Sequence, residues 1–192
     1  IRSDNPVSGQ CHNPWDLTRV PGGSSGGSGA VVAAGMAQAA LGTDTGGSIR
    51  LPAAMNGVAG LRPTHGRVPN HGSTPVSVSY DTIGPMARHV SDLARILAVT
   101  ASEVPGAAPM TGPDLGNFLP TLNDGVAGLR IGIPGNFYFD NCDDEIAEAV
   151  MTAVRTLEAQ GAKLIEVDVA EAETTHQWAT IQVYSDACAY HK

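Results

Sequence analysis

The sequence predicts an α/β fold, and two observations carry that prediction. Residues 129–169 read as strand, helix, strand, and a crossover of that length joins parallel strands. The composition is that of a chain with a buried core, 42% apolar and 16% charged over 192 residues. Its 23 glycines and 13 prolines gather before residue 140 and argue for tight turns and close backbone approach rather than a helical bundle. The length suits one domain, or one and a fraction.

Taken in order, residues 1–23 are turn chemistry, with Asn5-Pro6, Asn13-Pro14 and Pro21-Gly22-Gly23 and no periodic apolar run. Residues 26–37 are rich in glycine and alanine and predict a closely packed helix. Ala39 to Thr43 reads as a short buried strand, although composition alone leaves helix open there. Pro52 disfavours helical dihedrals at Leu51, so the next helix is expected from about residue 52. Val58 to Leu61 is a second short strand, stopped by Pro63, and residues 62–80 read as loop.

Leu93, Ile96, Leu97 and Thr100 share one helix face, which ends before Pro105. Residues 102–125 form a Pro/Gly/Asn-rich connection. Leu129 to Pro134 is a strand. The acidic turn Asp143-Asp144-Glu145 then opens a helix with Ile146, Val150, Val154 and Leu157 on one face and Gly161 at its end. Ile165, Val167 and Val169 alternate with Glu166 and Asp168 as a further strand. Residues 170–192 look helical and lack a terminator. No internal repeat is apparent.

Eleven basic against nineteen acidic side chains give a net charge of −8. A nucleic-acid or anionic-membrane surface needs clustered Lys and Arg, so neither is expected as a direct partner. Aromatics at 5% do not supply a base-stacking platform. Cys11, Cys142 and Cys188 form no C-x-x-C pair, and the six histidines show no ligand spacing. No cofactor and no metal site is therefore expected. The longest apolar stretch, Ala30 to Leu41, falls short of a bilayer span of roughly 20 residues. No leader pattern opens the sequence, and a cytoplasmic location is the expectation.

Two glycine–serine segments stand out, residues 22–28 and 42–50. The first reads as a flexible linker or as an anion-binding nest ahead of a helix. No lysine stands near enough for a nucleotide-binding loop. In the second segment, Thr45-Gly46-Gly47-Ser48 follows a strand, and its glycines leave successive backbone N–H groups uncovered. Such donors suit an oxyanion hole, and a serine among them suits a nucleophile once a base takes its proton.

Gly23-Ser24-Ser25-Gly26-Gly27-Ser28 and Gly42-Thr43-Asp44-Thr45-Gly46-Gly47-Ser48-Ile49-Arg50 closely resemble the amidase signature family. The match extends through Asn13-Pro14-Trp15-Asp16, Leu51-Pro52-Ala53-Ala54, residues 57–64 and Asp81 to Ala87. It covers roughly residues 13–101, with residues 129–169 fitting the family's next β-α-β segment more loosely. The resemblance implies a mixed, largely parallel central sheet covered by helices on both faces. It also implies that residues 1–192 are part of a single amidase signature domain.

The resemblance further implies amide hydrolysis by a Ser-cis-Ser-Lys triad, acting on a small-molecule amide without a cofactor. Ser48 matches the acylated nucleophile. Ser24, 24 residues earlier, matches the bridging serine behind a cis peptide. The N–H groups of Thr45, Gly46, Gly47 and Ser48 match the oxyanion hole. Asp44 and Arg50 are expected to brace the turn as an ion pair, and Ser25 to bond backbone in support of the site. The family's lysine lies further upstream of Ser24 than the 23 residues that precede it here, and Lys163 and Lys192 do not match it. The upstream Lys-bearing part and the C-terminal part of the domain are thus expected to be missing, and this chain alone to be inactive. A homodimer of the full-length protein stays open.

Two rivals remain. One is an amidotransferase-type subunit that hydrolyses glutamine and passes ammonia to a partner. The other is a Ser-His-Asp hydrolase with a G-x-S-x-G elbow at Ser24 or Ser25 and His65, His71 or His89 as base. That elbow requires a strand directly before the serine.

Overall fold

The computed structural model describes residues 3–101 and 119–192. The chain divides into two compact units, residues 1–120 with 183–192 and residues 121–182. The division falls within the connection read from the sequence. Residues 102–118 of that connection, with Pro105, lie outside the described residues.

In the first unit, β1 (Asp4–Asn5) and β2 (Gly9–Gln10) pair antiparallel. The sequence offered only turns here. The hairpin closes on Asn5, whose Oδ1 accepts from Val7 N at 3.0 Å and Ser8 N at 2.8 Å. The main sheet contains β3 (Ala39–Asp44), β4 (Ala59–Gly60) and β5 (Thr82–Ala87), all antiparallel, with β5 in the middle. The sequence assigns no element to residues 82–87, and proline seldom sits in a central strand. Pro85 nevertheless pairs with Leu41 and accepts from Leu61 N at 3.0 Å. Gly84 is required at its position, since a Cβ there would lie 2.1 Å from Leu61 O.

Helices cover this sheet. In α1 (Gly26–Ala33), Gly29 lies against Pro52 and Asn56 of α2 (Arg50–Asn56), where a Cβ would come within 2.8 Å of Asn56 Nδ2. Helix α2 starts at Arg50, two residues before the expected start. Pro52 is then in the first turn, where its missing N–H leaves no bond unmade. Ile49, Ala53 and Met86 form the buried cluster that joins α2 to β5. Helix α3 (Val90–Thr100) buries Leu93 and Leu97 of the face read from the sequence, with Ala94 beside them, and leaves Ile96 and Thr100 half-buried. Arg88 gathers the end of α1, donating to Val32 O at 2.9 Å and Ala37 O at 3.0 Å.

The second unit is the expected β-α-β. Strands β6 (Arg130–Pro134) and β7 (Lys163–Val167) pair parallel across α4 (Asp144–Ala159). Asp143 caps α4 by accepting from Glu145 N at 3.0 Å, and Gly161 follows the last turn at φ +98°. The apolar face of α4 keeps Ile146 57% and Val150 44% exposed, so it gains little from burial within this chain. Helix α5 (Ala172–Tyr190) begins in this unit and ends in the first. Among the described residues, parallel pairing is confined to β6 and β7.

Candidate active site

Both glycine–serine segments lie at the ends of elements of the first unit. Residues 22–25 lead into α1, and residues 45–49 link β3 to α2. The Gly23–Ser24 peptide is cis. One hydroxyl clasps it: Ser3 Oγ donates to Gly22 O at 2.8 Å and accepts from Gly26 N at 3.1 Å. Ser3 was not foreseen, and nothing in its sequence neighbourhood marks it. Ser24 is exposed beside an open cleft of about 910 Å³, which Asp4, Gln10, Cys11 and Gly27 also line.

Ser25 is tied to β3, its Oγ accepting from Thr43 N at 3.1 Å and donating to Thr43 O at 3.2 Å. Ser28 Oγ likewise donates to Leu41 O at 2.8 Å. A backbone bond, Ser25 N to Ser48 O at 3.3 Å, joins the two segments. No hydrogen bond joins the Ser24 and Ser48 hydroxyls. Among the described residues, neither hydroxyl is engaged in a hydrogen bond.

Asp44 organises the second turn. Its side chain is fully buried, with Oδ1 accepting from Gly47 N at 2.8 Å and Arg50 Nη2 at 3.0 Å. Oδ2 accepts from Ile49 N at 3.2 Å, Arg50 Nε at 3.0 Å and Arg50 N at 3.4 Å. Arg62 Nε stands 3.3 Å from Oδ1 as a second cation, without hydrogen-bond alignment. Burial by itself pushes the Asp44 carboxyl up. The bonds from Arg50, Gly47 and Ile49 outweigh it and hold the carboxyl below its ordinary value. Arg50 is held above its own by the same pair.

One expectation is corrected by this geometry. The Gly47 N–H is spent on Asp44 and is not an open oxyanion donor. Gly47 adopts φ +119°, a conformation that side-chain-bearing residues rarely take. The N–H groups of Thr45, Gly46 and Ser48 carry no hydrogen bond among the described residues. Beside the turn, Thr45 Oγ1 donates to Asp81 Oδ1, and Asp81 Oδ2 accepts from Val76 N at 2.8 Å and Ser77 N at 3.1 Å. Asp81 belongs to the stretch that carries the resemblance, yet its place beside the turn was not foreseen.

Trp15 is 74% exposed and donates through Nε1 to Asn56 O at 2.8 Å. Arg19 pairs with Asp16 at 3.2 Å on the surface. The elbow alternative loses its scaffold, because residues 17–23 are turn, bend and irregular backbone, and among the described residues no strand runs directly into Ser24. Lys163 lies on β7 in the second unit. Among the described residues no His, Cys, Asp and Glu cluster suits a metal ion, and no helix is long and apolar enough to cross a membrane.

Fold and turn define an α/β protein with a serine at a backbone-donor turn between strand and helix. The chain belongs to the amidase family, whose model matches residues 1–192. It is 47% identical over 167 residues to the A subunit of a glutamyl-tRNA(Gln) amidotransferase from Sulfurihydrogenibium sp. (strain YO3AOP1), an alignment covering 87% of this chain and 34% of that one. Native peptide amidase from Stenotrophomonas maltophilia superposes with a TM-score of 0.89 at 34% identity, covering 99% of this chain and 39% of that chain. The A subunit of a glutamyl-tRNA(Gln) amidotransferase from Thermotoga maritima gives 0.87 at 36% identity, covering 94% and 40%. The fold is thus the amidase signature fold, incomplete. The chain spans about a third of the length of the curated relatives it matches, 34% in the alignment above.

Proposed function

We propose that this chain carries the nucleophile and the bridging serine of an amide hydrolase that works through an acyl-enzyme on Ser48. The observation that carries the reading is the division of labour in the 44–50 turn. The Asp44 carboxylate takes up the amides of Gly47, Ile49 and Arg50, and those of Thr45, Gly46 and Ser48 stay uncommitted. The nucleophile thus sits among donors that need no partner removed before an oxyanion forms.

Ser48 Oγ attacks the amide carbonyl as its proton passes to Ser24 and from there to a base. The resemblance makes that base a lysine elsewhere in the full-length protein. The N–H groups of Thr45, Gly46 and Ser48 hold the developing oxyanion. The C–N bond breaks as the proton returns to nitrogen, releasing ammonia or an amine. Water then attacks the ester, yielding the acid and restoring the Ser48 hydroxyl. The cleft beside Ser24 gives a small amide access to this end of the site.

The test is partition of the acyl-enzyme. Given hydroxylamine, the full-length protein should form hydroxamate and acid in one ratio from an amide and from an ester with the same acyl group. No hydroxamate, or a ratio that follows the leaving group, rules out a common acyl-enzyme.

The amidotransferase-type reading keeps the same chemistry, with glutamine as substrate and ammonia delivered to a partner. The 47% identity to an amidotransferase A subunit supports it over a free amidase. Glutamine hydrolysis that rises when partner chains are added would favour it.

A further inference from the structure

We propose that Asp81 is a positioning residue for the nucleophile turn, acting through the Thr45 hydroxyl to orient the free backbone donors; this rests on the reading of Ser48 above. Three residues of the turn keep uncommitted N–H groups, and they differ in what can grip them. Gly46 has no side chain, and the Ser48 side chain is the nucleophile. Thr45 alone offers a group to hold, and Asp81 holds it.

The other oxygen of Asp81 is fixed by Val76 N at 2.8 Å and Ser77 N at 3.1 Å, so the carboxylate cannot swing to follow Thr45. Its backbone is fixed as well. Asp81 N donates to Ser77 O at 2.8 Å, and Asp81 O accepts from Asn70 Nδ2 at 2.6 Å. Ser77 Oγ in turn donates to Asp186 on α5 at 2.5 Å. Thr45 is thereby tied to a loop that is itself anchored.

On the other side, Gly46 is exposed, nothing lies within 4 Å of where a Cβ would stand, and glycine resists rotation less than any other residue. Without the Thr45 anchor, the peptides on either side of Thr45 can turn their N–H groups away from the oxyanion position. Preorganised donors are what such a site contributes, so loosening them lowers the chemical step and leaves ground-state binding nearly intact.

The experiment uses the full-length protein and steady-state amide hydrolysis. Thr45→Val keeps the shape and removes the donor. It should lower kcat about 10-fold, less than outright deletion of one oxyanion donor, with KM changed by less than about 2-fold. Thr45→Ser keeps the donor and should recover most of that loss. Asp81→Ala should show the same split, and adding Thr45→Val to it should lower kcat no further. If Thr45→Val does not fold, Asp81→Ala and Thr45→Ser carry the comparison. Wild-type kcat in Thr45→Val or in folded Asp81→Ala, or full additivity in the double variant, overturns the proposal. Ser48→Ala on the same preparation separates the two readings. Turnover surviving there sinks the nucleophile itself, whereas turnover lost there with Thr45→Val unaffected sinks Asp81 alone.

Discussion

Replacing Asp44 by asparagine probes the turn at its organising point. The native carboxylate uses one oxygen for Gly47 N at 2.8 Å and Arg50 Nη2 at 3.0 Å, and the other for Ile49 N at 3.2 Å and Arg50 Nε at 3.0 Å. Asparagine keeps one acceptor and sets an NH2 group against the donors on the other edge. One backbone amide in a buried turn is then orphaned, at about 1–3 kcal/mol. The Arg50 side chain is 57% exposed and returns to water, so that pair adds only about 0–1 kcal/mol. The sum is about 1–4 kcal/mol. Urea unfolding of wild type and Asp44→Asn, compared at equal m, reads it directly. A change under about 0.5 kcal/mol, the range of an ordinary surface substitution, would refute the idea that this carboxylate builds the turn. The pH dependence follows in sign. The folded carboxyl is lowered from 3.8, so its contribution is complete above the unfolded value and fades as pH falls through the lower folded one. The gap between wild type and variant should hold at neutral pH and close in acid below 3.8.

Two further outcomes follow. Gly84→Ala should destabilise the first unit by at least about 3 kcal/mol, because its Cβ would meet Leu61 O at 2.1 Å and Pro63 Cδ at 2.7 Å, and thermal unfolding checks this. The purified 192-residue chain should turn over no amide at a detectable rate, since losing the base forfeits several orders of magnitude; turnover that vanishes in Ser48→Ala would show that the base lies within this chain.

Periodicity made the second unit legible. Ile146, Val150, Val154 and Leu157 mark α4, and the alternation at Ile165 and Val167 marks β7. The centre of the first unit was hidden, because Gly84-Pro85 carries a turn signature inside β5. There the close approach of Leu61 O to Gly84 decides the residue, and no local propensity reports a contact made from 23 positions away. In the site, the family resemblance pointed to Ser24 and Ser48 but not to which amides stay free. That depends on the Asp44 side chain folding back over Gly47, a contact that no motif encodes. Ser3 and Asp81 act on the site across 21 and 36 residues, so they became visible only in three dimensions.

Covalent labelling of the full-length protein with a fluorophosphonate, read by peptide mass spectrometry, bears most directly on Ser48 as nucleophile. The label should fall on Ser48, and Ser48→Ala should lose both label and turnover. Ser24→Ala should lose turnover yet retain slow labelling, because it removes the proton bridge and leaves the attacking atom and its backbone donors in place. A label on Ser24 or Ser25 that persists in Ser48→Ala would contradict the account.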